Sequence, residues 1–168
     1  RLFARTAAPD LALARVRGAI SDPHLPARAT RWEELADGPV RRVAGRVLGH
    51  GESERGQGYL LLEGVDGSVH YFVHVPEIER AHAKGEIRAG AMVELSALRA
   101  GPAERPAVRV ENLGDARTFL RAEESFDRWE RKFLAGGGRI APGTDKGWLG
   151  QFAAARDSLR SVSRGRER

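Results

Sequence analysis

The composition of the 168-residue chain, 41% hydrophobic and 30% charged, is that of a soluble globular protein, and no apolar run reaches the ~18 residues that a membrane span needs. The absence of cysteine excludes disulfides, zinc knuckles and thiol nucleophiles, and it fits a reducing cytoplasm. The net charge of +5 favours a polyanionic partner, and 25 of the 28 basic residues are arginine, whose planar guanidinium binds two phosphate oxygens at once.

The basic excess lies at the C-terminal end of the chain. Residues 38–113 carry ten basic and ten acidic side chains, residues 114–135 carry five of each, and residues 136–168 carry seven basic against three acidic. The predicted strand region is therefore not a basic patch by count. A GC-rich genome, which raises the arginine, alanine and glycine content of proteins generally, is an alternative explanation for the abundance of arginine.

An N-terminal helical segment is predicted over residues 1–38. Its first helix covers residues 10–20, where apolar residues recur at helical spacing, and a proline-containing stretch ends it. A short second helix is predicted from Thr30, which has capping-box spacing to Glu33, and Gly38 can end it.

A small antiparallel β-barrel is predicted over residues 39–113, because apolar residues alternate there between glycine-rich turns. The predicted strands cover about residues 40–48, 59–63, 68–75, 91–98 and 107–113, and a helix from Pro76 to Gly85 separates the third strand from the fourth. That order of elements is typical of an OB-type barrel, whose strands two and three and flanking loops bind single-stranded nucleic acid or sugars. An SH3-like barrel also has five short strands and remains the alternative.

A C-terminal helical hairpin is predicted over residues 114–163, followed by a basic tail at 164–168. Asp115 can cap a long helix that ends near Ala135, and a second amphipathic helix covers residues 147–162. The expected fold class is therefore α+β: a five-stranded antiparallel barrel with N-terminal helices and a C-terminal helical hairpin.

The third predicted strand carries the first group of candidate ligand contacts. Val69 and Tyr71 are expected to face the core, which leaves His70, Phe72 and His74 as an outward row on which an unpaired base can stack. The alternative is that a helix covers Phe72. A metal ion shared by His70 and His74 is not expected, because two residues four apart in a strand are separated by about 13 Å.

Basic and imidazole side chains outside that strand are the second group of candidate nucleic-acid contacts. The first loop of an OB-type barrel often touches its ligand, and arginine fits phosphate. Ordinary surface charge is the alternative interpretation. The candidates are Arg42 and Arg46 on the outward face of the first strand, His50 and Arg55 in the loop that follows, and Arg164 and Arg166 in the basic tail.

No catalytic arrangement is recognisable in the sequence. It has no Gly-x-Ser-x-Gly nucleophile elbow, no glycine-rich phosphate loop before a helix and no paired carboxylates in a known frame. The sequence therefore predicts a non-catalytic domain with neither a cofactor nor a bound metal.

The strand region resembles the part of VirD-type relaxase/mobilization nucleases that follows their nuclease domain and is catalogued as a domain of unknown function. The matching residues are Gly45–Gly51, Tyr59–Val73 and Gly90–Leu95, and GVDGSVHY is the most specific motif. The later SFDRWERKFLAGGGRI is similar to a helix of the same family. The resemblance covers about residues 39–140.

This resemblance implies a role in conjugative plasmid transfer, in which a relaxase nicks one DNA strand through a tyrosine and a His-ligated metal and then pilots that strand. The chain lacks the paired His-x-His of the nuclease, and its first loop, HGESERGQG, departs from the usual loop of the family. We therefore expect an accessory domain that contacts single-stranded DNA beside the other domains of a parent relaxase. The alternative is a structural or protein-docking module that positions the nuclease or meets the transfer machinery.

Overall fold

The structure, a computed structural model, describes residues 2–19, 29–31, 42–53, 55–98, 107–142 and 147–166. Helices and antiparallel strands occur in consecutive runs along these ranges, so the fold class is α+β, as predicted. None of the helices in the described ranges is both long and apolar enough to cross a membrane. The elements are α1 (Leu2–Ala19), β1 (Ala29–Arg31), β2 (Arg42–Glu52), β3 (Gly58–Gly64), β4 (Val69–Val73), α2 (Pro76–Ala83), β5 (Ala91–Leu98), β6 (Ala107–Asp115), α3 (Ala116–Arg121), α4 (Glu123–Ala135) and α5 (Gly147–Arg166).

The strands form one sheet in the order β1-β4-β3-β2-β5-β6. The five strands β2 to β6 pair antiparallel, which confirms the predicted five-stranded antiparallel sheet. The short β1 adds to the sheet by pairing parallel with β4. In the part of the chain that the structure describes, β1 and β6 are the two edges of the sheet. The sheet is not closed there, so the predicted barrel is not confirmed.

The N-terminal segment differs from its prediction. The first helix begins at Leu2 rather than near residue 10, and it includes Pro9. Thr30 does not begin a helix, because it lies in β1 and pairs with His70. The other residues of the predicted second helix, from position 32 onward, lie outside the described residues.

Apolar side chains cover both faces of the sheet. The inner face, which we define by the cluster of Val43, Leu60 and Phe72, packs against α2. On the outer face, α1 covers β3 and β4, while α3, α4 and α5, here called the outer layer, cover β2 and β5. Sheets covered on both faces have strands that are apolar on both sides, so alternation alone does not tell which side faces which layer.

The prediction for the third strand is therefore wrong about its faces. Phe72 lies in the inner core and is 1% exposed, whereas Val69 and Tyr71 pack on the opposite face with residues of α1. His70 is also buried. An outward row of His70, Phe72 and His74 does not exist, because the face on which two of its members lie is the interior of the domain.

The C-terminal helices begin at the predicted residues, but the first of the two predicted helices is interrupted. The Asp115 side chain accepts hydrogen bonds from the backbone N–H groups of Arg117 and Thr118, as predicted for a helix cap. The single long helix predicted after it is two helices, since Ala122 has φ −91° and ψ 84° and interrupts the helical backbone. The last helix continues beyond its predicted end to Arg166, so the start of the predicted tail is helical.

Candidate nucleic-acid interface and the α2 cleft

Arg42 connects the sheet to the outer layer. Its Nη1 atom donates a hydrogen bond to the carbonyl oxygen of Lys132 at 3.3 Å, in the last turn of α4, and lies 3.7 Å from Oε1 of Glu94. A cation at the C-terminal end of a helix is favourable, because the last carbonyl groups have no partner within the helix. Arg42 does face away from the inner core, as predicted, but the outer layer already occupies that face.

The Glu94 carboxyl group, which lies beside Arg42, accounts for the position of the guanidinium. Burial raises the pKa of Glu94 above its usual range, the Arg42 guanidinium opposes that rise, and Glu111, which pairs with it across the sheet, adds to it. The positive charge of Arg42 is therefore used to stabilise a buried carboxylate.

Arg46 is also engaged within the molecule. Its Nη2 atom lies 2.7 Å from Oε2 of Glu63, which is 7% exposed, and its guanidinium carbon lies 5.8 Å from the ring centroid of Trp148 in α5. An arginine beside an aromatic ring gains a cation–π attraction in addition to the ion pair. Arg42 and Arg46 thus both hold the outer layer on the sheet.

The histidines of the third predicted strand have different roles. Nε2 of the buried His70 lies 2.8 Å from Oδ2 of Asp66, so this pair stabilises the turn between β3 and β4. His74 follows β4 and is exposed, with a positive φ of 53°. Its Nδ1 atom lies 3.9 Å from Oε1 of Glu79 in α2. Of the predicted row, only the His74 side chain is exposed.

A cleft of about 290 Å³ opens between α2 and the neighbouring ends of β2 and β3. We call it the α2 cleft. Its apolar floor is part of the inner core, and its mouth is polar. The floor is formed by Leu60, Phe72, Val75, Ile78 and Ile87, and the side chains at the mouth include His50, Glu52, Glu79 and His82.

An imidazole pair links the two sides of the mouth. Nε2 of His50 in β2 lies 2.9 Å from Nε2 of His82 in α2, and the ring centroids are 3.8 Å apart. One ring must donate and the other must accept, so the contact requires at least one neutral ring. Burial and the nearby His82 both lower the pKa of His50. The lowered pKa favours the neutral form of His50, and the contact connects α2 to β2.

The cleft brings together some of the sequence-predicted residues and leaves others apart. His50 and Phe72 line it, and His74 reaches it through Glu79. Arg55 is exposed in the turn between β2 and β3, beside the strand ends that form the mouth. Of the predicted tail residues, Arg164 is exposed on α5 and Arg166 is the last residue of that helix.

The site residues that the sequence does not predict are Glu52, Glu79 and His82, and the last two lie on one helix. Their spacing of three, with Ile78 beside them, places all three along one side of α2, and this pattern is visible in the sequence. Only the packing of α2 against the sheet shows that this side faces His50. Among the described residues, no three His, Asp or Glu side chains lie where they can hold a metal ion.

Comparison with known proteins adds no relative to this description. No family model, curated protein or solved structure matches the chain. Its function must therefore be argued from the residues of the cleft and from the sheet that positions them.

Proposed function

We propose that the chain is a non-catalytic accessory domain of a relaxase-like mobilization protein and that it contacts single-stranded DNA at the mouth of the α2 cleft. The observation that carries this proposal is the position of the cleft, which opens beside the turn between β2 and β3. In OB-type sheets the loop between the first two strands is one of the ligand-contacting loops. The mobilization context rests on the resemblance of the strand region to relaxases.

The strand order supports an OB-like arrangement over an SH3-like one. β2, the first of the five antiparallel strands, lies between β3 and β5, and α2 connects β4 to β5. OB-type barrels are five-stranded and partly open. We interpret the sheet as an open OB-like sheet in which β1 adds to the edge of β4.

The volume of the cleft suits a single nucleobase rather than a stretch of several nucleotides. A volume of about 290 Å³ is at the lower end of the range for small-molecule sites, and the apolar floor favours a flat, poorly hydrated group such as a nucleobase. Glu52 and Glu79 at the mouth repel phosphate, so the DNA backbone must remain outside. Outside the mouth, basic side chains can neutralise the phosphates of that backbone. They are exposed in the neighbouring turns and belong to Arg55, Lys84 and Arg88.

A structural or protein-docking module is the second candidate function. The observation that favours it lies in the outer layer, where Leu134 and Val162 are each 47% exposed while Arg42 and Arg46 are engaged internally. Exposed apolar side chains can contact a protein partner, and such binding depends little on salt.

The direct test is fluorescence anisotropy of a labelled single-stranded DNA at low and moderate salt. We expect binding that weakens steeply as salt rises, and we expect Arg55→Ala to weaken it several-fold and to reduce the salt slope by about one phosphate contact. Arg117→Ala, which removes an exposed arginine on α3, is the matched control and should leave binding unchanged.

The other outcomes discriminate between the proposals. Loss of binding in Arg164→Ala with no effect of Arg55→Ala would move the contact to α5. An absence of binding even at low salt would overturn the nucleic-acid proposal and leave the docking module as the better account.

A further inference from the structure

We infer that His50 and His82 bind a divalent transition-metal ion through their Nε2 atoms, and that this ion fastens α2 to β2 at the mouth of the α2 cleft. The class of ion is that of Cu²⁺, Ni²⁺ and Zn²⁺, for which imidazole is a preferred ligand. Metal binding requires no nucleic acid, so the site goes beyond the proposed function and is independent of it.

The separation of the two nitrogens matches that of adjacent ligands on one metal ion. Nε2 of His50 lies 2.9 Å from Nε2 of His82. Two imidazole nitrogens that bind one ion at about 2.1 Å each, with a right angle between the bonds, are about 3.0 Å apart. Right angles between ligands are typical of square-planar and tetragonal Cu²⁺ and Ni²⁺ sites. The two rings are therefore already spaced for such an ion.

The relative orientation of the rings also fits a shared ion better than a linear hydrogen bond. In a linear N–H···N bond of this length the ring centroids would be about 5 Å apart, because both rings extend away from the contact. The observed centroids are 3.8 Å apart, with an interplanar angle of 65°. At least one Nε2 atom therefore points away from the line that joins the two nitrogens. An ion held by two adjacent ligands also lies off that line.

Both imidazoles can supply the lone pair that a metal ion requires. A neutral imidazole carries its proton on one nitrogen and accepts with the other, so binding of metal at Nε2 leaves the proton on Nδ1. His50 and His82 are both exposed, and water can accept from each Nδ1–H group. The ion thus replaces the single proton that the two Nε2 atoms otherwise share.

The charges around the pair favour a cation. Of the described residues that line the cleft, Glu52 and Glu79 are carboxylates and none is lysine or arginine. Glu79 also lies 3.9 Å from the His74 ring, so its charge is shared with that neighbour. Clefts lined by one sign of charge raise the local concentration of ions of the opposite sign. The carboxylates attract the ion, and water completes its coordination.

An ion bound by both rings would act as a clip on the fold. His50 belongs to β2 and His82 to α2, 32 positions further along the chain, so the ion would close a loop that contains β3 and β4. A ligand that binds only the folded chain stabilises it, and a metal clip on a long loop restricts the unfolded chain. Bound metal should therefore hold α2 against the sheet.

The test is isothermal titration calorimetry of the untagged, chelator-treated chain with Ni²⁺, and with Mg²⁺ as an ion that imidazole does not favour. We expect one Ni²⁺ ion per chain and no binding of Mg²⁺. His50→Gln and His82→Gln should each weaken Ni²⁺ binding by at least about tenfold, because each removes one of the two protein ligands. His74→Gln, which changes an exposed histidine beside the same cleft, is the matched control and should bind as the wild-type chain does.

Thermal unfolding provides a second measurement. Ni²⁺ should raise the Tm of the wild-type chain and of His74→Gln, EDTA should reverse the rise, and His82→Gln should not respond. Equal Ni²⁺ affinity in the wild-type chain and His82→Gln would overturn the inference, since the ion would then bind elsewhere. An absence of Ni²⁺ binding by the wild-type chain would overturn it as well. Failure of DNA binding would overturn the proposed function alone.

Discussion

The two sides of the sheet use their charged residues in opposite ways. In the outer layer, the Glu130 carboxylate is 3% exposed and contacts both Arg156 and Arg160 of α5, and Arg42 and Arg46 reach from the sheet to the same helices. At the α2 cleft, by contrast, the carboxylates and imidazoles stand at an open mouth. Charges in the outer layer are therefore mostly buried between elements, whereas the carboxylates and imidazoles at the cleft are exposed and pair with each other.

This difference explains why the abundance of arginine is a poor guide to a candidate binding site. An arginine on a sheet face that a helix later covers must find a carboxylate or a carbonyl group, because an uncompensated buried charge is costly. Arg42 and Arg46 meet that requirement. Arg55, which lies in a turn, is under no such constraint.

Removing the aromatic centre of the outer layer should cost the most stability. Phe152 is fully buried, and its ring centroid lies 5.1 Å from that of Phe126. We expect Phe152→Ala to lower the free energy of unfolding by about 3–5 kcal/mol through lost burial and the cavity that remains. Urea denaturation followed by circular dichroism measures this loss. Val162→Ala, on the exposed side of the same helix, should cost less than about 0.5 kcal/mol. Equal costs for the two variants would show that α5 does not pack as described.

Two arginine substitutions should have opposite effects on stability and binding. Arg46→Ala removes the guanidinium that neutralises the buried Glu63, so we expect a loss of about 1–3 kcal/mol in the free energy of unfolding. Arg55→Ala should change stability by less than about 0.5 kcal/mol and should instead weaken DNA binding. Both quantities can be measured on the same preparations. A stable Arg46→Ala variant with weakened DNA binding would place the ligand on the outer face and contradict the contrast.

The imidazole pair should show the smallest effect, in its dependence on pH. Because the pKa of His50 is lower in the folded chain than its ordinary value of 6.5, the folded state binds fewer protons than the unfolded state in that range. The contribution of the neutral His50 ring to the free energy of unfolding is fully present above pH 6.5. It is lost as the pH falls through the lowered pKa of His50. Solvent screens these exposed rings, so we expect a loss below about 1 kcal/mol.

Proton NMR titration of the imidazole signals checks this directly. The pKa of His50 should rise toward 6.5 in His82→Gln, since the neighbouring positive charge is gone, and should not move in His74→Gln. An unchanged His50 titration in His82→Gln would show that the two rings do not interact.

Much of the local structure could be predicted from the sequence. The alternation of apolar residues and the glycine-rich turns located the five antiparallel strands, and Pro76 and Asp115 marked the starts of α2 and α3. These signals are local, because backbone geometry and turn chemistry act over a few residues. The break at Ala122 was missed, since alanine is a good helix former and nothing in its neighbours indicates an interruption.

The candidate site, by contrast, could be predicted only in part. The sequence predicts His50 and Phe72 as ligand contacts but places Phe72 in an outward row, and it does not single out Glu52, Glu79 or His82. The period-two pattern of the strand shows which residues share a face, and it does not show which face is covered when helices pack on both.

The sequence by itself thus determined the strands, their turns and the amphipathic side of α2, since each depends on contacts between near neighbours. The tertiary structure alone decided that Arg42 and Arg46 serve the outer layer and that His50 meets His82 at an open cleft. Those outcomes depend on contacts between residues 32 to 102 positions apart in the chain. Such meetings follow from how helices cover the two faces, which no local pattern encodes.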